Sequence, residues 1–299
     1  MDTIKVILNP YAGRWLAERS RGAIERALTS LEIPFVLEVT SKPNAAIEMA
    51  RRASHDGFRV VVAAGGDGTV SEVVNGLALA ADDMGKATAG VLGVLQVGSA
   101  NDMAEIAGVP NQLMAACEAI KRGRTRLIDL GVVNGRYFDN NVGAGFEAQV
   151  TIESRKIKRL RGTLLYLIAV IRALAHYPSP VMRVTWNEGE VTRPLLMVSV
   201  GNGRRTGGGF FVTPDAVQDD GLLDLGVANA LPRLQILKLL PKVMRGTHKN
   251  DPAIMLTRTT HITVESDYPL PVHADGEVIY TDAKRLDISI QPARLELIV

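Results

Sequence analysis

Cysteine is almost absent from this sequence. The chain has one cysteine in 299 residues, so it cannot form an internal disulfide. Cys117 lies in the mostly apolar run from Met114 to Ile120, which predicts a packed helix rather than a reactive thiol. This cysteine usage is typical of a reducing compartment and favours the cytoplasm.

Aromatic residues and net charge are also low. Phe, Trp and Tyr make up 5% of the chain, and the formal net charge at pH 7 is +2. Nucleic-acid-binding proteins usually have a strongly basic surface, and those that bind single strands add aromatic side chains on which bases stack. We therefore do not expect DNA or RNA as a partner.

The sequence has no long apolar segment. Its longest run, Leu164 to Ile171, has eight residues and ends at Arg172, whereas a membrane-spanning helix needs about 20. Met1 to Lys5 leads directly into an apolar strand pattern, without the basic and apolar leader of a secreted protein. We predict a cytoplasmic chain without a spanning helix.

The length and the 46% apolar content favour two domains. Residues 1–127 alternate strand and helix patterns, which predicts an α/β domain around a parallel sheet. After Arg126 short strand patterns dominate, with two helix patterns near 162–176 and 232–245, and these predict a β-rich domain over 128–299. The last strand could return to the domain interface.

The most informative segment is a strand pattern, Val60 to Ala64, followed by Gly65-Gly66-Asp67-Gly68-Thr69. Apolar spacing from Val70 to Leu79 predicts a helix that begins near Thr69. Glycines let the backbone approach a ligand closely, and a helix N-terminus favours an anion. The segment thus predicts a nucleotide-phosphate site, with an ordinary corner between strand and helix as the alternative. Asp67 beside phosphate implies Mg²⁺ or a hydroxyl donor.

Other polar loops follow neighbouring predicted strands. Asn9-Pro10 follows the first strand, Thr40 the second, and Gly98 to Asp102 the fourth. In open α/β sheets, ligands bind beyond the carboxyl ends of the strands. We expect these loops to share one edge with the glycine turn.

Seven motifs, taken in order, resemble the diacylglycerol kinase catalytic family, most closely its small soluble bacterial lipid kinases. They are Asn9-Pro10, Gly65 to Thr69, Gly98 to Asp102, Asn140 to Phe146, Gly207 to Gly209, Asp219 to Asp224 and Asp275 to Glu277. The resemblance implies an ATP-dependent, Mg²⁺-requiring lipid kinase. It also implies an α/β nucleotide-binding domain, a C-terminal β-sandwich domain and an active site in the cleft between them.

The resemblance also assigns site residues by position. The candidate nucleotide contacts are Asn9, Thr40, Gly65, Gly66, Asp67, Gly68, Thr69, Val70, Ser71 and Ser99. The family usually has threonine at the position of Ser99, and serine keeps the hydroxyl while losing a methyl group. A structural magnesium ion would be held by Val217, Asp220 and Leu222, partly through main-chain carbonyls, with Asp220 as the only charged ligand.

The family's proton acceptor falls on Glu277, with Asp275 two residues before it. A carboxylate beside an alcohol can take its proton as the bond to phosphorus forms, which typically contributes about 10²- to 10⁴-fold. Asp-Gly is also a strong hairpin signal, so the alternative is a turn between Pro271 to Ala274 and Val278 to Tyr280. The sequence leaves open which of the two carboxylates is the base.

A basic cluster indicates how a lipid kinase would reach its substrate. Arg155 to Arg161 holds five basic residues in seven and precedes the apolar helix pattern. At about 1 kcal/mol per basic residue, it would supply at most roughly 5 kcal/mol of reversible binding to an anionic membrane. The alternative is a solvated turn before a core helix. The lipid class and the oligomeric state stay open, with a homodimer among the options.

Two other functions compete with a lipid kinase. NAD kinases share the glycine turn and a two-domain plan and carry an Asn-Glu pair, but Asn187-Glu188 precedes Gly189 and predicts a hairpin turn. A nucleotide- or lipid-binding regulator without turnover would usually have lost a catalytic carboxylate. Asp67, Asp275 and Glu277 argue against such a regulator.

Overall fold

The structure is a computed structural model that describes residues 2–13, 16–97, 102–157, 162–207 and 209–299, with the backbone alone at Gly162 and Thr163. The chain forms two compact units, one of residues 1–130 and 292–299 and the other of residues 131–291. Each unit has its own apolar core.

The first unit alternates strands and helices around a parallel sheet. Its elements are β1 (Ile4–Leu8), α1 (Leu16–Ser30), β2 (Phe35–Val39), α2 (Ala45–His55), β3 (Val60–Gly65), α3 (Asp67–Met84), β4 (Val91–Gln96), α4 (Asp102–Ile106), α5 (Leu113–Arg122) and the first part of β5 (Thr125–Val133). The strand order is β2-β1-β3-β4, and the end of β13 (Glu277–Ile298) lies parallel to β4. Parallel pairing places the carboxyl ends of β1 to β4 at one edge.

Apolar strands bury both faces of this sheet, as expected for a parallel sheet covered by helices. The core on one face joins β1, β3 and β4 to α1 and α5 through Val6, Leu8, Val62, Leu95, Ile24, Leu28, Ala116, Cys117 and Ile120. Ile7, Val61 and Ala63 are fully buried too. Burial raises the pKa of Cys117 to about 11, which agrees with the prediction of an unreactive thiol.

The second unit is mainly antiparallel. Its elements are the rest of β5, β6 (Arg136–Phe138), β7 (Asn141–Gly145), α6 (Phe146–Arg155), α7 (Gly162–His176), β8 (Val181–Trp186), β9 (Gly189–Gly201), β10 (Leu223–Asn229), α8 (Arg233–Met244), β11 (Ile254–Thr259), β12 (His261–Ala274) and most of β13. The main strand order is β11-β10-β9-β7-β12-β13, and β8 pairs with β9 and β12. Apolar side chains from these strands form its core.

Several predicted elements differ from the structure. Helix α3 begins at Asp67, not near Thr69, so Asp67 lies in a helical turn and not in a loop. Helix α6 was not predicted, because it follows directly on a glycine-rich strand. Glycine has a low propensity for both helices and strands. The predicted hairpin at Asn187-Glu188 is confirmed by the pairing of Trp186 with Gly189.

No helix in the described ranges is both long enough and apolar enough to span a membrane.

Candidate active site

Asn9 ties the end of β1 to the start of α3. Its Nδ2 donates a hydrogen bond to Thr69 Oγ1 at 3.0 Å, and its Oδ1 accepts one from the Tyr11 main-chain N–H at 3.1 Å. The Asn9 main-chain N–H also donates to the Ala64 carbonyl, 3.1 Å away. The first predicted motif and the glycine turn therefore meet at one edge of the sheet.

The N-terminus of α3 directly follows the end of β3. Gly66 occupies the N-cap position and has no side chain with which to cap the helix. A Cβ added at Gly65 would lie 2.3 Å from Thr69 Oγ1, so only glycine allows the strand to approach the helix this closely. Half-buried Asp67 lies in the first turn, where the helix dipole stabilises a negative charge.

The remaining predicted nucleotide contacts differ in exposure. Thr40 follows β2 at the same edge, is buried, and donates its main-chain N–H to the Leu8 carbonyl at 2.9 Å. Thr69, Val70 and Ser71 are buried in the first turns of α3, while Gly66 and Gly68 are half-buried. Ser99 lies outside the described residues.

Asp275 and Gly276 form a two-residue hairpin turn between β12 and β13. Ala274 pairs with Glu277, and φ is 49° at Asp275 and 76° at Gly276. Two successive left-handed residues are typical of the type I′ turn that Asp-Gly favours. The hairpin turn that was the alternative at this motif is therefore present, and it places Glu277 at the first position of β13.

The Asp275 carboxylate accepts hydrogen bonds from three main-chain N–H groups. Its Oδ1 accepts the N–H groups of Asn140 and Asn141, both at 3.0 Å, and its Oδ2 accepts that of Asp139 at 3.2 Å. Only 8% of the residue is exposed. These bonds join the hairpin turn to the segment that leads into β7.

The Glu277 carboxylate is about half exposed and forms an ion pair with Arg155. Its Oε2 lies 2.7 Å from Nη2 of Arg155, which also donates to the Gly276 carbonyl at 3.3 Å. Arg155 is the last residue of α6. The arrangement holds a carboxylate beside the turn while leaving it accessible.

A buried polar chain beneath the turn was not predicted as part of the site. The Gly276 N–H donates to His273 Nδ1 at 3.4 Å, which assigns the ring proton to Nε2. His273 Nε2 lies 3.2 Å from Glu147 Oε1, and Asn141 Nδ2 donates to the same oxygen at 3.0 Å. A Cβ at Gly143 would lie 2.4 Å from His273 Nε2, so this packing requires glycine. The sequence signal was position alone, since Glu147 directly follows the Asn140 to Phe146 motif and His273 lies two residues before the Asp275 to Glu277 motif.

The predicted metal residues lie in an acidic loop of the second unit. Asp220 Oδ1 accepts the Leu222 N–H at 3.0 Å, and its Oδ2 lies 3.5 Å from Arg258. Burial raises the pKa of Asp224 to about 6, with an opposing effect of Arg258 and a further increase from the charge of Asp220. Asp224 Oδ2 has no hydrogen-bond partner among the described residues.

The acidic loop does not form a metal site from side chains alone. Within the described ranges, no group of three or more His, Cys, Asp or Glu side chains could hold a metal ion. A cation at Asp220 would need main-chain carbonyls such as those of Val217 and Leu222.

Comparison with known proteins identifies both units. The diacylglycerol kinase catalytic domain matches residues 3–133, and the YegS C-terminal NAD kinase beta sandwich-like domain matches residues 140–299. A protein of Chromohalobacter salexigens named probable lipid kinase YegS-like is 33% identical over 81% of this chain and 76% of its own length. The diacylglycerol kinase of Bacillus subtilis is 28% identical over 93% of this chain and 90% of its own length.

The fold is also similar to that of a solved diacylglycerol kinase from Bacillus anthracis. The TM-score is 0.73 at 20% identity, over 99% of this chain and 96% of that one. These matches confirm the predicted fold class, in which an α/β domain precedes a β-sandwich domain, and the predicted enzyme class of phosphotransferase. The chain therefore belongs to the diacylglycerol kinase catalytic family of small bacterial lipid kinases.

Proposed function

We propose that this enzyme transfers the γ-phosphate of ATP to the hydroxyl group of a membrane lipid, with Mg²⁺ and with Glu277 as the general base. The observation that carries this proposal is that the two carboxylates of the β12–β13 turn have different environments. Asp275 is committed to three main-chain N–H groups, while Glu277 is about half exposed beside them. A buried carboxylate with three donors is a poor proton acceptor, so the alcohol proton goes to Glu277.

In the first unit, the N-terminus of α3 supports nucleotide binding. Its first N–H groups and the positive end of its dipole would face the phosphates, with Gly65, Gly66 and Gly68 allowing close approach. Asn9 and Thr69 fix the position of this turn. We assign the remaining predicted contacts, Thr40, Asp67, Val70, Ser71 and Ser99, to the same nucleotide.

The negative charge of the acidic loop in the second unit suits a bound cation. Asp220 and Asp224 bring two carboxyl groups to this loop, and one Asp224 oxygen has no hydrogen-bond partner among the described residues. Burial is the main cause of the raised pKa of Asp224, and the charge of Asp220 adds to it. Val217, Asp220 and Leu222 would hold Mg²⁺, which would offset this charge and order the loop. Addition of Mg²⁺ near neutral pH should then raise the free energy of unfolding of the wild type more than that of Asp220→Asn.

The transfer itself needs few protein groups. The lipid oxygen attacks the γ-phosphorus, the bond to the ADP oxygen breaks, and the hydroxyl proton passes to Glu277. Arg155 orients the Glu277 carboxylate, and Asp275 fixes the turn that carries it.

Two helices of the second unit support peripheral, reversible membrane binding. We define the α7–α8 face as the exposed apolar side chains Leu164, Leu167, Ile171, Leu234, Leu237 and Met244. Arg233 joins the helices by donating to the Ala175 carbonyl at 3.0 Å. Neither helix has an Asp or Glu, and Arg172, Arg233 and Lys238 supply positive charge suited to an anionic leaflet. Lys242 on α8 is paired with Asp251 at 2.8 Å.

The predicted basic cluster is partly neutralised by ion pairs. Arg155 pairs with Glu277, and Lys156 with Glu153 at 2.6 Å, which reduces their charge toward a membrane. The rest of the cluster, residues 158–161, lies outside the described residues.

The test is transfer of label from γ-labelled ATP, with Mg²⁺, to a panel of lipids in mixed micelles that also contain NAD⁺. Wild type should label one lipid class, and Glu277→Gln should label the same class far more slowly while binding ATP normally. Label in NAD⁺ would establish a NAD kinase and overturn the proposal. ATP binding without transfer to any acceptor would favour a regulator.

A further inference from the structure

Helix α6 packs against β12 and reaches the β12–β13 turn from both of its ends. Gly145 ends β7 with a φ of 89°, a conformation that glycine adopts readily, and α6 begins at the next residue. Glu147 therefore lies in the first turn of the helix, and Arg155 is its last residue. Neither Glu147 nor the histidine that it contacts, His273, has a role in the mechanism proposed above.

The main-chain groups of Gly276 bond to side chains and not to the neighbouring strand. The closing pair of the turn is Ala274 with Glu277, so the strand ladder uses neither the N–H nor the carbonyl of Gly276. The N–H instead donates to His273 Nδ1 at 3.4 Å, and the carbonyl accepts from Arg155 Nη2 at 3.3 Å. The peptide groups on both sides of Gly276 therefore have fixed directions.

Glu147 holds the His273 ring in place. Its Oε1 lies 3.2 Å from His273 Nε2 and accepts a hydrogen bond from Asn141 Nδ2 at 3.0 Å. Gly143 on β7 pairs with His273 and leaves room for the two side chains. A Cβ added at Gly143 would lie 2.4 Å from His273 Nε2 and 2.6 Å from Glu147 Oε2. The ring is thus enclosed by its neighbours, and its Nδ1 stays directed at the turn.

Stability alone does not account for this buried cluster. Glu147 and Asn141 are almost fully buried, yet Glu147 Oε2 and Asn141 Oδ1 have no hydrogen-bond partner among the described residues. A buried polar atom without a partner costs free energy, whereas apolar side chains of similar size could fill such a volume without that cost. The feature that the polar groups add, and apolar ones would not, is the bond to the Gly276 N–H.

We propose that Glu147 and His273 are positioning residues for phosphate transfer. Through the Gly276 N–H they fix the direction of the Glu277 carboxylate, which follows directly in the chain. This inference rests on the proposed function, in which Glu277 takes the alcohol proton. A general base must lie within about 2.6–3.2 Å of the atom that gives up the proton. Rotation of the Gly276 peptide groups would move the carboxylate, and a displacement of about 1 Å can cost about 10²-fold in rate.

The first test separates the catalytic rate from substrate binding. A glutamine amide lies near the position of Nε2 and an asparagine amide near that of Nδ1, so His273→Gln loses the acceptor for Gly276 while His273→Asn keeps one. The assay uses γ-labelled ATP, Mg²⁺ and the lipid that wild type labels in mixed micelles. His273→Gln should lower kcat about 10- to 100-fold at unchanged KM for both substrates, and His273→Asn should retain most of kcat. An unchanged kcat in a His273→Gln protein that urea unfolding shows to be folded would overturn the proposal.

The second test needs neither lipid nor ATP. Hydrogen exchange of main-chain amides, followed by NMR, reports whether the Gly276 N–H is bonded. The internal reference is Gly135 in the Asn134-Gly135 turn between β5 and β6, which also has two successive positive φ values, 48° and 84°. In wild type, Gly276 should exchange more slowly than Gly135, and His273→Gln should remove the difference. Equal exchange of the two glycines in wild type would overturn the proposal without any variant.

A double-mutant cycle in kcat shows whether His273 acts through Glu277. In the Glu277→Gln background, His273→Gln should change kcat by less than about twofold, because the group that it positions is already lost. An equal loss of kcat in both backgrounds would indicate a general structural effect and contradict the proposal. The control His261→Gln removes an exposed histidine from the same strand, where it lies 3.1 Å from Asp287, and should leave kcat unchanged.

Failure of this inference can be distinguished from failure of the proposed function. Full activity of Glu277→Gln would refute the assignment of the base itself. A slow Glu277→Gln protein beside a fully active His273→Gln protein would refute the positioning role alone.

Discussion

Asp275 and Asn141 hold each other through two hydrogen bonds in opposite directions. The Asp275 N–H donates to the Asn141 carbonyl at 2.8 Å, and the Asn141 N–H donates to Asp275 Oδ1 at 3.0 Å. The pair fixes the β12–β13 turn against β7. The two carboxylates of this turn should therefore respond differently to substitution.

Asp275→Asn should destabilise the protein, whereas Glu277→Gln should lower the catalytic rate. An asparagine at position 275 presents an NH₂ group to main-chain donors, which should lower the free energy of unfolding by about 1–3 kcal/mol. Glu277 is about half exposed, so Glu277→Gln should cost at most about 1 kcal/mol. It should lower kcat by about 10²- to 10⁴-fold. Urea unfolding and initial rates measure both effects.

The reverse pattern would move the base to Asp275. An Asp275→Asn protein of wild-type stability with very low kcat, beside an active Glu277→Gln protein, would be that result.

Glu147 and His273 should be strongly coupled. Both are almost fully buried, and removal of one of two buried polar partners typically costs about 1–3 kcal/mol, because the other is left unsatisfied. Glu147→Gln and His273→Gln should each lower the free energy of unfolding. The double variant should lower it by less than the sum of the two single effects. A double-mutant cycle of unfolding free energies measures this coupling. Additive losses would show that the 3.2 Å contact contributes little.

The sequence predicted the fold and the meeting of the first unit's polar loops better than it predicted the polar chain beneath the β12–β13 turn. Short apolar runs followed by glycine, such as Val60 to Ala64, are typical of buried strands. Parallel pairing of β1 with β3 brings Asn9 and Thr69 together. Glu147 and His273 were not predicted, because they meet only through long-range pairing of β7 with β12. A lone buried histidine or glutamate has no local sequence pattern.

The start of α3 shows a second limit. Glycines have low helix propensity, so the pattern predicted a helix from Thr69, while the structure begins it at Asp67. The N–H groups of Thr69 and Val70 both donate to the Gly66 carbonyl, at 2.9 and 3.1 Å, and these bonds extend the helix back to Asp67.

Asp67→Ala should abolish ATP-dependent turnover with little loss of stability. Because Asp67 lies in the first turn of α3, removal of its charge should cost at most about 1 kcal/mol through the helix dipole. Glu18→Ala, which removes an acidic residue from the first turn of α1, is the matched control and should retain activity. Loss of folding together with activity in Asp67→Ala would make the residue structural.

Asp224 should make stability depend on pH. Burial raises its pKa to about 6 from 3.8, so the folded protein holds this proton more tightly than the unfolded chain. Its contribution to the free energy of unfolding is therefore fully present below about pH 3.8 and is lost as the pH rises through about 6. Urea unfolding in EDTA across this range should show the fall in wild type and not in Asp224→Asn. The same fall in both proteins would assign it to another group.

The α7–α8 face should bind anionic vesicles. Leu234 is 73% exposed, so Leu234→Ser removes apolar surface without disturbing the core. Wild type should sediment with phosphatidylglycerol vesicles more than with phosphatidylcholine vesicles, and salt should weaken this binding, since basic residues contribute about 1 kcal/mol each near an anionic surface. Leu234→Ser with Leu237→Ser should reduce binding at least tenfold, while kcat with lipid in micelles changes little.

The control for that experiment is Val36→Ser, which removes an exposed apolar side chain from β2 in the first unit. It should leave vesicle binding unchanged, because β2 lies far along the chain from α7 and α8 and carries the acidic Glu38. Equal losses in Val36→Ser and the leucine variants would mean that general hydrophobicity drives adsorption. Vesicle binding that depends on neither salt concentration nor lipid charge would contradict the role assigned to Arg172, Lys238 and their basic neighbours.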